Sequence, residues 1–259
     1  MTCWPRPSLR HLAQLTDEVG IVEHARLDKP RRELGYCTDD AGRLLAVASK
    51  MTHSRDARRL ATVALAFLRR AHDHGASFRL HLGGNGRWSD DPPSDDAAGR
   101  ALLGLGTAAS AAPWPEVRSG ALDLFEAASG FRSAHPRAIA YAALGAVALL
   151  GAMPGHEGAR RLVDDAANLL PGPSPEALWR WPEPRLTYAN ALIPEACLAT
   201  AAVLGDRRRV GDGLALLYWL IGEERRGDRF SFVPVGGRAE GRQNLDQGSE
   251  LARHVPRRP

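Results

Sequence analysis

Ala138-Ile-Ala-Tyr-Ala-Ala-Leu-Gly-Ala-Val-Ala-Leu-Leu150 is apolar on nearly every side when wound as a helix. A helix without a polar face belongs inside other helices, because each of its sides needs an apolar neighbour. The run extends to Met153, is rich in alanine and is too short to cross a bilayer, so the reading is a buried helix and no membrane span. Outward from it, apolar residues recur at helical spacing almost throughout. Leu44, Leu45, Val47, Ala48 and Met51 form one stripe, and Leu60, Val63, Ala64, Phe67, Leu68 and Ala71 the next. Ala97, Ala101, Leu102, Leu105 and Ala108 follow, then Val117, Ala121, Leu122, Leu124 and Phe125. Segments 161–170, 189–204 and 210–223 complete about eight helices. Strand signals are nearly absent, and the one exception is the alternating Arg229–Val235 stretch.

The connections alternate. Those near 52–56, 112–116, 151–157 and 205–209 are short; those near 75–94, 130–136, 171–188 and 224–246 are long and hold most of the Trp, Gly and acidic residues. Stacked helical hairpins with one plain face and one loop-rich face follow, and function concentrates on loops. Such hairpins can curl into a toroid whose inner helices line a groove. No fixed-period repeat is visible and no linker marks a boundary, so the expectation is one all-α domain over residues 1–259.

Bulk properties narrow the function. Lys29 and Lys50 are the only lysines among 34 basic residues, and the net charge is +4. The arginine pairs are scattered along helix faces and not gathered with aromatics, which argues against nucleic-acid binding. Cys3, Cys37 and Cys197 are odd in number and lack paired spacing, which favours a reducing cytoplasm and no structural zinc. The histidines at 11, 24, 72, 74 and 81 lack metal-site spacing. Gly83-Gly84-Asn85-Gly86 lacks the Lys-Ser/Thr of a phosphate cradle, so no cofactor is expected.

The chemistry-bearing residues are acids beside aromatic rings: Asp39-Asp40, Asp90-Asp91, Asp95-Asp96, Glu183, Glu195 and Asp246, near Tyr36, Trp88, Trp179, Trp181 and Tyr188. A sugar offers hydroxyls for carboxylates and C–H faces for rings. Helix capping by Thr38 or Asp39 accounts for one acid of the first pair, and a Ser94 cap with two acids in the first turn accounts for much of the third. Capping leaves Tyr36, Trp88 and Arg100 unexplained. Arg100 stands one turn past Asp96, on the same helix face, where a guanidinium would fix and ionise that acid. In Trp179-Arg-Trp-Pro-Glu-Pro-Arg-Leu-Thr-Tyr-Ala-Asn190, two prolines hold Glu183 stiffly, which suits a sugar-orienting carboxylate.

These motifs together resemble a bacterial all-helical family of the six-hairpin glycosidase-like type, often encoded beside or fused to glycosyltransferases. The resemblance runs from His11-Leu12 and Asp17 through Gly35-Tyr36-Cys37-Thr38-Asp39-Asp40 with Arg43, Ser94-Asp95-Asp96 with Gly99-Arg100, and Pro136-Arg137-Ala138. It continues in Trp181, Glu183, Arg185-Leu186-Thr187-Tyr188, Asn190, Pro194-Glu195, Phe230-Ser231-Phe232 and Asp246-Gln247. Departures are Ala41-Gly42 where the family has Asn-Ala, Ala98 near the place of a His, Pro182 and Pro184 around Glu183, and Ala189 in place of an Asp. After Gln247 the family pattern dissolves, so the resemblance implies a toroid without its C-terminal hairpins.

The resemblance implies a carbohydrate-active protein of glycoside hydrolase type acting on an oligosaccharide or glycan. Asp39 or Asp40 together with Asp96 are the expected catalytic carboxylates. Tyr36, Trp88, Asp95, Arg100, Trp181, Glu183, Arg185, Tyr188 and Asn190 are the expected substrate contacts. Arg100 and Arg185 are expected to hold carboxylates charged, at lowered pKa. The alternative is a non-catalytic sugar-binding domain serving a glycosyltransferase. Glycosyl transfer by this chain alone ranks lower, because no βαβ pattern is present to hold a nucleotide-sugar.

Overall fold

A computed structural model describes residues 7–51, 53–89, 92–174, 178–234 and 236–241. Cys3, Asp90, Asp91, Val235, Asp246 and Gln247, singled out above, lie outside these residues. The chain separates into two compact units, Met1–Leu169 and Leu170–Pro259.

In the first unit the order is α1 (Arg10–Leu15), β1 (Ala25–Arg26), β2 (Lys29–Pro30), β3 (Tyr36–Cys37), α2 (Thr38–Lys50), α3 (Ala57–Ala71), β4 (His81–Leu82), α4 (Asp95–Ala111), α5 (Pro115–Ala128), α6 (Pro136–Ala152) and α7 (Glu157–Leu169). α2–α3, α4–α5 and α6–α7 are hairpins closed by short turns. α4 is the pivot: it packs against α2 on one side and α6 on the other, with α3, α5 and α7 on their hairpin partners. The stripe residues Leu44, Leu45, Leu60, Phe67, Leu68, Leu102, Leu105, Phe125, Ile139 and Leu149 are buried between these helices. Val47 departs from its stripe and stands exposed.

The three inner helices approach backbone to backbone. A methyl group added at Gly42 would collide with the carbonyl of Arg100, one at Gly104 with that of Gly42, one at Gly99 with that of Ala138, and one at Gly145 with that of Leu102. Glycine is required where main chains come this close. The proximity brings the N-terminal turns of α2, α4 and α6, where the long loops enter, to one end of the unit.

The helix starts have local causes. The Ser94 hydroxyl accepts from the Ala97 N–H at 3.4 Å and caps α4, while Pro115 and Pro136 open α5 and α6 with a preset φ. α2 corrects the capping expectation. Its N-cap position is Cys37, no side chain caps it, and the Thr38 hydroxyl instead donates to the Arg79 carbonyl at 2.5 Å. Thr38 N–H also bonds Leu80 O at 2.9 Å, continuing the β3–β4 ladder in which Tyr36 faces Leu82 and Cys37 faces His81. The loop before α4 is thereby tied to the start of α2.

The second unit holds β5 (Arg185–Leu186), α8 (Leu192–Leu204), α9 (Arg207–Glu224), β6 (Arg225–Arg226), β7 (Arg229–Phe230) and β8 (Arg238–Ala239). α8 and α9 form a further hairpin. Gly205, at φ +70°, ends α8, and the Asp206 carboxylate caps α9 through the Arg209 N–H at 3.1 Å. β5 pairs with β8 and β6 with β7, all antiparallel. The eight expected helices are therefore present; the short α1 and the β1–β2, β3–β4 and β5–β8 ladders were not foreseen. The extended stretch at 229–235 is realised in part as β7, where Phe230 stacks on Phe232 at 5.9 Å.

Candidate functional site

Because no cap claims it, the Asp39 carboxylate in the first turn of α2 is available across the helix interface. Its Oδ2 accepts from Arg100 Nη1 on α4. The same guanidinium reaches back one turn to Asp96, with Nη2 and Oδ2 3.4 Å apart, and lies over the Tyr141 ring of α6 at 4.8 Å. One arginine, 5 % exposed, thus joins three inner helices. The carboxylates beside it keep an edge to solvent, at 18 % for Asp39 and 24 % for Asp96. Asp39 Oδ1 is buried without a hydrogen-bond partner among the described residues.

The electrostatics differ from the expectation that arginine would lower the acid. Burial pushes the Asp39 carboxyl above the ordinary aspartate value, and the nearby charges of Asp96 and Asp40 add to the rise; Arg100 and Arg43 offset only part of it. Arg100 itself stays protonated: burial opposes its charge, but Asp39, Tyr141 and Asp96 more than compensate. Asp39 is thus the acid of the pair that burial makes harder to ionise.

The other acids of these motifs go elsewhere. Asp40 pairs with Arg43 on the surface of α2 at 2.7 Å. Asp95 accepts from the Ser133 hydroxyl at 2.6 Å, and Ser133 in turn receives the His135 N–H at 2.9 Å, fastening the start of α6 to that of α4. Glu195 is exposed in the first turn of α8. Tyr36 is buried, its hydroxyl donating to Asp17 at 2.9 Å and its ring against Phe67. Trp88 packs on the other side of that phenylalanine at 5.5 Å. Both rings brace the loops that carry the cluster.

Two residues outside the expected catalytic and substrate-contact sets enter here. His81 Nδ1 lies 2.9 Å from Glu23 Oε2, both side chains partly exposed. A carboxylate on Nδ1 orients an imidazole and leaves Nε2 for proton exchange. His81 sits opposite Cys37 in the ladder, two residues before Asp39. The Cys37 thiol is pushed up to about 12, by burial first and then by Asp39, Asp40 and Glu23, so it is no nucleophile. Only the wide chain separation of Glu23 and His81 hid the pair; no local spacing announces it.

In the second unit the loop motif is held by its own members. Trp181, 2 % exposed, donates from Nε1 to Glu183 Oε2 at 3.0 Å, and Trp179 donates to the Glu183 carbonyl at 2.7 Å. Trp219 of α9 packs on both indoles, at 5.0 and 6.1 Å. The Asn190 amide brackets Thr187, accepting from its N–H at 3.0 Å and donating to its carbonyl at 3.2 Å. Arg185 extends to the Gly236 carbonyl. Tyr188 is 44 % exposed. No group of His, Cys, Asp and Glu able to hold a metal is found among the described residues, nor any helix long and apolar enough to cross a membrane.

No protein-family model matches this sequence, and no curated protein matches it. Solved structures do. A sugar epimerase from a ruminal bacterium superposes with a TM-score of 0.70 at 12% identity, over 90% of this chain and 72% of that one. The cellobiose 2-epimerase of Bacillus thermoamylovorans gives 0.66 at 14% identity, over 85% and 70%. The fold is accordingly the (α/α) toroid type of stacked helical hairpins.

Proposed function

We propose that this chain is a carbohydrate-active protein whose reaction centre is the Asp39–Arg100–Asp96 cluster, working as a glycoside hydrolase. The observation that carries the reading is that two carboxylates, from the first turns of α2 and α4, meet on one buried guanidinium while Asp39 keeps an oxygen without a partner among the described residues. Glycoside hydrolysis requires such a pair, one protonated and one ionised. Asp39, harder to ionise, gives its proton to the glycosidic oxygen as the C–O bond breaks. Asp96, nearer solvent and held by Arg100, takes the proton of the water that attacks the anomeric carbon, or attacks that carbon itself.

Replacing Asp39 or Asp96 singly by Asn is expected to lower the release of reducing ends from oligosaccharides by about 10²–10⁴-fold. Unchanged turnover in both variants rejects the assignment. Sugar binding without turnover in the unaltered protein supports the non-catalytic alternative, a sugar-binding domain that serves a glycosyltransferase.

The Glu23–His81 pair favours a second reaction. The two similar structures are named for sugar epimerisation, and an oriented imidazole can remove the proton next to the carbonyl of an open-chain sugar and allow its return on the opposite face. Deuterium entering C2 of a reducing sugar in heavy water, lost in His81→Asn but kept in Asp96→Asn, identifies this reaction; reducing-end release with the reverse dependence identifies hydrolysis.

A further inference from the structure

Arg238 is the most unusual charged residue of the second unit. Its side chain is 5 % exposed, and Nη1 is held by Glu223 Oε2 at 2.8 Å. Nε and Nη2, the two donors on the outer edge of the guanidinium, are buried with no acceptor among the described residues. Buried donors are almost always satisfied, and a parallel pair left open is a fork made for two adjacent oxygens. The β5–β8 ladder, with Arg238 opposite Leu186, fixes its place. The guanidinium lies 6.0 Å from the Trp179 ring centre, and the edge of Trp219 packs on that same indole. Trp179 and Glu223 are both partly exposed and carry the position towards the surface.

Two ligand chemistries present paired oxygens, a carboxylate or phosphate and a vicinal diol. The surrounding charges decide between them. Glu223 is already on the guanidinium, and Glu224 is buried close enough to feel Arg238. Arg185 is turned to the Gly236 carbonyl. With Glu223 already paired to it, the Arg238 guanidinium has little net charge left to draw a second anion. Sugar hydroxyls both donate and accept, so they can take the two N–H groups while returning a proton to Glu223, with a C–H face beside the indole.

We propose that Arg238, with Glu223 and Trp179, forms a binding subsite for the vicinal diol of a neutral sugar unit. This rests on the carbohydrate reading given above and adds to it an anchor residue and the exclusion of acidic sugars. The test uses the full chain, with calorimetry for affinity and tryptophan fluorescence as local reporter. Cellobiose and cellobiouronic acid are titrated into the unaltered protein, Arg238→Met and Arg238→Lys. The expected result is cellobiose binding with a fluorescence change, weaker by tenfold or more in both variants, and poorer binding of the acid. Lysine keeps the charge but not the fork, so Arg238→Lys carries the test where Arg238→Met does not fold, folding being checked by circular dichroism. Equal affinity in the unaltered protein and the lysine variant overturns the subsite and leaves the carbohydrate reading standing, as does tighter binding of the uronic acid. Absence of binding by either sugar in the folded, unaltered protein overturns both.

Discussion

The Tyr36–Asp17 pair illustrates how a residue offered as a sugar contact serves the scaffold. Burial raises the phenol to about 12, and its hydrogen bond to Asp17 adds to the rise. For Asp17, burial opposes ionisation, but hydrogen bonds from Tyr36, Arg32 and the Val19 and Gly20 N–H groups hold it below the ordinary value. Both shifts link to stability. A carboxyl lowered in the fold stabilises above its unfolded value, near 3.9, and that contribution is lost as pH falls through the folded value. A phenol raised in the fold stabilises fully below pH about 10 and loses this as pH rises through about 12. Tyr36→Phe is therefore expected to cost about 1–2 kcal/mol at neutral pH. It should also flatten the alkaline limb of thermal stability between pH about 10 and 12; melting curves across pH read both. At the same scale, the carboxylates tell two stories. The Ser94 cap was legible because a cap acts within three residues. The fate of Asp39 was not, because Thr38 gives its hydroxyl to Arg79 and no local rule announces a partner on another helix.

At the scale of elements, glycines separate positions that look alike in the sequence. Gly145 and Gly151 both lie in α6. A methyl at Gly145 would meet the Leu102 carbonyl, whereas nothing lies within 4 Å of one at Gly151. Helix propensity alone favours alanine at both by up to about 1 kcal/mol. At Gly145 overpacking of a main-chain contact outweighs that gain, at about 1–3 kcal/mol. Gly145→Ala is expected to lower the melting temperature by several degrees and Gly151→Ala to raise it slightly, measured by calorimetry. Helices themselves were readable, since apolar stripes persist over several turns in α3, α4 and α6. The two-residue ladders were not, because a period of two needs more than two residues to declare itself.

Across the molecule, the first unit converges on Arg100, which meets Asp39, Asp96 and Tyr141 from α2, α4 and α6. Removing one partner of a buried charge network leaves the others uncompensated, at about 3–5 kcal/mol. Arg100→Met is expected to destabilise by that order in urea unfolding. Arg100→Lys is expected to recover only part, because an ammonium cannot serve two carboxylates and a ring with one planar fork. The second unit converges in the same way on Trp219, which gathers the two loop indoles onto α9.

The chain's own order of residues determined the eight main helices and their pairing into hairpins, because apolar periodicity and turn chemistry are local properties. Tertiary structure alone decided which acid meets Arg100, that burial would raise Asp39 in spite of that cation, that Glu23 would orient His81, and that Arg238 would be buried on Glu223. Those outcomes depend on distances between residues far apart in the chain and on how much water is left around them, and neither quantity is written in any short stretch of sequence.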